Sequence, residues 1–172
     1  KARQKRAIRR FLAANPDCAE RVRSMLINHA YIPSPYRTKP VVEGPKHKRR
    51  EIRIPRFFPD QIVQWSILLQ TIPIFMEGMD PFCCGSVLGR GTSYAERYIR
   101  RWFQSDPRGT RYCLKLDIHH FYQSVDHDRL KAMLRRKFKD AELLALLDLI
   151  IDSVPTGLPI GNVTSQWFGN FY

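Results

Sequence analysis

The spacing of apolar residues changes several times along the chain, and each change predicts a different element. After Asp60, the positions Ile62, Val63, Trp65, Ile67, Leu68, Leu69 and Ile72 are too numerous for one stripe. They predict a largely buried helix that Pro73 ends or kinks. Lys1 to Ala14 carries only a narrow stripe of Ile8, Phe11 and Leu12, as expected for a basic surface helix. Asn15 and Pro16 read as N-cap and first position of a second helix running towards His29. Six prolines between Tyr31 and Pro59 exclude a long helix and leave short extended segments. Ser93 to Glu96 has capping-box spacing and opens an Arg-rich helix, Tyr94 to Phe103, with Tyr98 and Trp102 on one side. A turn is expected at Asp106-Pro-Arg-Gly. Asp126 and Asp140 are placed to cap helices through Phe138 and from Ala141 to Ile151, and a last helix is expected from about Thr164.

Between the turn and Asp126, the period falls to two. Tyr112, Leu114, Leu116 and Ile118 then share one face of a strand, Arg111 to Phe121, and Cys113, Lys115 and Asp117 share the other. A carboxylate on the open face of a half-buried strand suits a hard cation such as Mg²⁺. Equally, Asp117 can be a solvated residue near a strand end. His119 and His120 raise the question of zinc, but strand neighbours face opposite sides and cannot both join Asp117 at one ion. Asp126-His127-Asp128 is most simply a helix start whose acids satisfy orphan amides.

Near the end, Pro155-Thr-Gly-Leu-Pro-Ile-Gly is a stiff turn followed by the polar start Asn162-Val-Thr-Ser-Gln. Glycine at such a place lets another backbone or a ligand approach closely, with Asn162 or Ser165 as hydrogen-bonding groups beside it. The same residues also read as a plain connector.

Charge narrows the partners. The 172 residues hold 29 Lys+Arg against 16 Asp+Glu, a formal charge of +13, which favours a polyanion. Lys46-His47-Lys48-Arg49-Arg50 is the densest positive run. A hydrophobic fraction of 44% argues for a folded protein, and no apolar run approaches the roughly 20 residues of a membrane span. The four cysteines form no Cys-x-x-Cys pattern and are too few for a disulfide framework, so a reducing, cytoplasmic setting is expected. The chain lacks a starting Met and a secretory leader, and it stops on an apolar run, Trp167 to Tyr172, so both ends are expected to be cuts in a longer protein.

Lys115-Leu-Asp-Ile-His-His-Phe-Tyr-Gln-Ser-Val-Asp-His, followed about forty residues later by Gly157-Leu-Pro-Ile-Gly-Asn-Val-Thr-Ser-Gln, resembles the reverse transcriptases of bacteria. Arg50-Glu-Ile-Arg-Ile-Pro, Asp60-Gln-Ile-Val-Gln-Trp and Gly89-Arg-Gly-Thr-Ser-Tyr-Ala resemble the fingers blocks of that family, in the same order. Ile160 precedes Gly161, and Gln166 follows Ser165, where many members have Gln and Pro; that form is most similar to diversity-generating retroelement enzymes. The resemblance implies an α+β right-hand polymerase fold: fingers, an incomplete palm of antiparallel sheet backed by helices, and no thumb. Its divisions would be a basic helical segment at 1–30, fingers at 31–110, a palm strand at 111–127, helices at 128–155, and a palm turn and helix at 156–172.

The resemblance further implies RNA-directed DNA synthesis by two-metal nucleotidyl transfer. Asp117 would be the first metal carboxylate, helped by the backbone carbonyl of Ile118, with two Mg²⁺ ions or Mn²⁺ in their place. Lys48 (or Lys46), Arg50, Tyr122, Ile160 and Gly161 would contact the dNTP, with Tyr122 as the steric gate against ribose. Arg97, Arg100, Arg101, Ser165 and Gln166 would touch template or primer. The implied partners are an RNA template, a DNA primer, dNTPs and an accessory RNA-binding protein of the retroelement, in a bacterial or phage-encoded cytoplasmic setting without a membrane. The family's Tyr-x-Asp-Asp segment does not occur in the sequence, so the chain as given is expected not to polymerise. A non-catalytic reverse-transcriptase-like RNA-binding domain, a group II intron-type enzyme and a template-independent polymerase are the alternatives.

Overall fold

The computed structural model describes residues 2–43 and 48–172, without the side chains of 2–4, 43, 48 and 50. Two helices open the chain, α1 (Ala2–Ala14) and α2 (Cys18–Ile27). Asn15 does not cap α2. Its side-chain amide donates to the Phe11 carbonyl at 3.0 Å and closes the end of α1 instead, and Pro16 falls in the intervening turn. The proline-rich stretch forms an antiparallel hairpin, β1 (Arg37–Glu43) with β2 (Lys48–Ile54), pairing Arg37 with Ile54 and Thr38 with Arg53.

A π-helical turn at Phe57–Gln61 leads into α3 (Ile62–Met76). Pro73 neither ends nor breaks this helix. Its missing N–H would have served the carbonyl of Leu69, which lies on the solvent side, where water can satisfy it. That exposed side also holds Trp65, so α3 is buried along one face and not all round, as the apolar count had implied. The buried face, with Val63, Leu68 and Phe75, meets Trp167 and Phe168 of α8 (Val163–Phe171). Thr164 and Ser165 are also buried on α8, and the Thr164 hydroxyl reaches Gln64 Oε1 at 3.4 Å.

Helices α6 (His127–Lys137) and α7 (Ala141–Ile151) close the core through Leu130, Leu134, Leu147 and Ile151, all fully buried. Each such side chain contributes about 1.5–3 kcal/mol of burial. Both expected caps form: Asp126 accepts from the Arg129 amide at 2.7 Å and Asp140 from the Leu143 amide at 2.8 Å. Lys131 of α6 donates to both oxygens of Asp152 at 2.7 and 2.6 Å and ties α6 to the end of α7.

Helix α4 (Thr92–Ser105) starts without the expected capping box; Gly91 is its N-cap and no side chain caps it. None of its residues is buried. The larger correction concerns residues 111–118, which are exposed and form no strand. Tyr112, Leu114 and Leu116 are each at least 80% exposed. Alternation alone does not make a strand, because backbone amides and carbonyls need a neighbour to pair with, and among the described residues the sheet consists of β1 and β2. The mixed helix and sheet content agrees with α+β; a palm sheet is not present among the described residues.

Candidate nucleotide-binding cleft

Two glycines of the 155–161 turn bring three distant segments together. Gly157 has φ +65°, and a Cβ there would lie 2.5 Å from the Tyr122 carbonyl oxygen and 2.7 Å from Gln123 Cα. The backbones touch because there is no side chain to separate them. Leu158 N–H donates to the Tyr122 carbonyl at 2.6 Å, and the Gly157 carbonyl lies 2.6 Å from His127 Nε2. Gly161 has φ +134°, and a Cβ there would come 2.2 Å from the Arg53 carbonyl oxygen. Beside it, Arg53 N–H donates to the Ile160 carbonyl at 2.9 Å. The turn is thus stitched to the short helix α5 (Phe121–Ser124) on one side and to β2 on the other. This is the close backbone approach anticipated from the glycine spacing.

Behind the turn, a small polar network holds its exit. Asn162 is buried; its amide donates to Tyr36 Oη at 2.8 Å, and Tyr36 Oη lies 2.7 Å from Ser153 Oγ. Through that amide, Asn162 braces the approach to β1 against the end of α7.

A cleft of about 1140 Å³ opens between the stitched segments. Asp117 and Ile118 line it from the segment before α5, Tyr122 from α5, Ile160 from the turn, and Arg49, Glu51 and Arg53 from β2. The β2 contribution follows period two, which puts residues 49, 51 and 53 on one face of the strand. Sequence reasoning had looked to Lys48, Lys46 and Arg50 for the cationic group. Lys46 lies outside the described residues, as do the side chains of Lys48 and Arg50, and Arg49 and Arg53 were missed. The alternation in Arg49-Arg-Glu-Ile-Arg was the signal that could have found them.

Tyr122 is partly buried, and burial raises its phenol above the usual range, so it is neutral at physiological pH. Its ring lies against Gly169 of α8, where a Cβ would be 3.4 Å from the ring edge. His119 and His120 also line the cleft, with ring centroids 3.9 Å apart. They were expected on opposite sides of a strand; instead His120 takes a left-handed conformation, φ 52°, which folds the two rings onto one side. Among the described residues no three His, Cys, Asp or Glu side chains converge as a metal site would require. Asp117 and Glu51 are the carboxylates of the cleft, at most a partial ligand set for two divalent ions.

The other expected contacts scatter. Ser165 is 2% exposed, buried within the fold on α8. Gln166 is exposed on α8. Arg97, Arg100 and Arg101 are exposed on α4, but Arg100 is engaged by Glu96, with Nη2 2.7 Å from Oε1. A separate apolar groove of about 460 Å³ lies between α2 and α7, lined by Met25, Leu143 and Leu146, with no member in common with the cleft. Comparison of the chain with protein-family models and with curated proteins finds no match. No helix among the described residues is long and apolar enough to cross a membrane.

Proposed function

We propose that this chain is the fingers and proximal palm of an RNA-directed DNA polymerase, and that the cleft beside Asp117 receives the incoming dNTP. One observation carries the proposal: Asp117, Tyr122 and Ile160, picked out as site residues by their motifs, line one cleft together with two arginines of the hairpin. Arg49 and Arg53 present guanidinium forks, the side chains best matched to triphosphate oxygens. Tyr122, neutral and backed by α8, forms a firm wall suited to excluding a ribose 2′-hydroxyl. Ile160 offers an aliphatic floor, held in place by its carbonyl bond to Arg53. A divalent cation, when bound, would supply charge neutralisation at the phosphates, and Asp117 would be its ligand from this chain. Because, among the described residues, the cleft brings only Asp117 and Glu51, catalysis needs further carboxylates, and these residues by themselves bind nucleotide without joining it. An RNA-binding domain without catalysis is the second reading, favoured by that same shortfall.

The test is nucleotide binding to the chain, measured with dGTP and GTP by calorimetry. Arg53→Ala should weaken both ligands, whereas Tyr122→Ala should narrow the preference for dGTP. Equal affinities across the native chain and both variants would remove the cleft from consideration as a nucleotide site.

A further inference from the structure

Helix α4 and the loop before it carry an exposed aromatic cluster that shares no residue with the lining of the cleft. Phe82 packs edge-on against both Tyr98 and Trp102, with ring centroids 5.2 and 4.8 Å away. The loop before the helix is pinned in this position: Tyr94 Oη donates to the Pro81 carbonyl at 3.2 Å, and Arg90 Nη1 to the Asp80 carbonyl at 3.1 Å. An aromatic cluster this well braced normally lies in a core. Here Phe82 is 45% and Trp102 43% exposed. Arg97 and Arg101 stand on the same helix, and the Arg101 guanidinium lies 5.7 Å over the Tyr98 ring.

We infer that Phe82, Tyr98 and Trp102, flanked by Arg97 and Arg101, form a stacking platform for a single-stranded polynucleotide. Unpaired bases present flat faces that stack on exposed aromatic rings, while guanidinium groups take the phosphates, and neither contact needs a particular base. A duplex hides its base faces and would use only the arginines. The aromatic content distinguishes this surface from a plain basic patch, and the chain's +13 charge makes a polyanion its natural occupant. The inference rests on the polynucleotide partner of the proposed function, not on chemistry in the cleft.

The experiment is fluorescence anisotropy with labelled 15-mers of oligo-rU and oligo-dT and with a duplex of equal length, without nucleotide or divalent ion. Trp102→Ala should weaken single-strand binding about fivefold or more, and Trp102→Phe should retain most of it. Arg97→Ala should flatten the salt dependence. In a Trp65→Phe background, where Trp102 is the exposed indole and Trp167 stays buried, the oligonucleotide should quench tryptophan emission. Unchanged affinity in Trp102→Ala, or duplex bound as tightly as single strand, would overturn the inference. So would a blue shift with phosphatidylserine vesicles and none with oligonucleotide, which would make α4 a membrane-surface helix. Asp117→Ala should leave this binding intact. If Asp117 proves essential for nucleotide incorporation while Trp102 is irrelevant to binding, the platform falls and the polymerase proposal stands.

Discussion

Replacing Gly157 by alanine tests the geometry on which the cleft depends. The added Cβ would meet three backbone atoms, the Tyr122 carbonyl oxygen at 2.5 Å, Gln123 Cα at 2.7 Å and the Gln123 carbonyl oxygen at 2.8 Å. None is the end of a flexible side chain, so relief requires α5 and the turn to separate. Holding alanine at φ +65° costs about 1–2 kcal/mol. Separation also weakens the Leu158–Tyr122 hydrogen bond and the contact of the Gly157 carbonyl with His127, about 1 kcal/mol each. The sum, roughly 3–4 kcal/mol, is a large share of the 5–15 kcal/mol typical of a domain. Gly89→Ala is the control: its φ is +79° with nothing within 4 Å of the added carbon, so it isolates the backbone contribution. Urea unfolding followed by circular dichroism should place Gly157→Ala about 2 kcal/mol below Gly89→Ala, the worth of the two lost contacts. Equal stabilities would refute the proposed contact between the turn and α5.

Asp60 is buried and accepts both the Tyr31 hydroxyl and the Ser34 amide at 3.0 Å, so Asp60→Ala should lower stability by about 2–3 kcal/mol in the same assay. Burial, and then the charge of Asp60, raise the Tyr31 phenol far above its usual range. The folded state therefore keeps a proton that the unfolded chain releases above about pH 10, and stability must fall as pH rises beyond that point. Tyr31→Phe should lose less stability between pH 8 and 10.5 than the native chain; an identical loss would count against the assignment. Phe75 is 2% exposed and touches Phe138, Trp167, Phe168 and Phe171, so Phe75→Ala should cost about 3–5 kcal/mol by thermal or urea unfolding.

Local chemistry was legible at the starts of α6 and α7, although the caps expected at Asn15 and Ser93 do not form. Asp126 and Asp140 cap their helices because a short carboxylate reaches the amide three residues on, whatever surrounds it. The glycine turn was readable for the same reason, since the missing side chains at Gly157 and Gly161 permit close approach without specifying the partner. Long-range pairing was less accessible. Residues 111–118 alternate as a strand should, but the period says nothing about where a neighbouring strand would come from. The turn at His120 likewise has no hydrophobic signature, so the two histidines were assigned to opposite faces when they share one. Burial was equally invisible at Ser165, a polar residue near a motif that nothing in the sequence placed inside the fold.

The most direct measurement is template-dependent incorporation of dNTPs by the protein expressed from its natural reading frame, compared with the same protein carrying Asp117→Ala. Asp117 is exposed at the cleft, so the substitution should leave folding unchanged while abolishing RNA-templated DNA synthesis. Synthesis that continues at the native rate without this carboxylate, or no synthesis by either protein on any RNA template, would contradict the polymerase assignment.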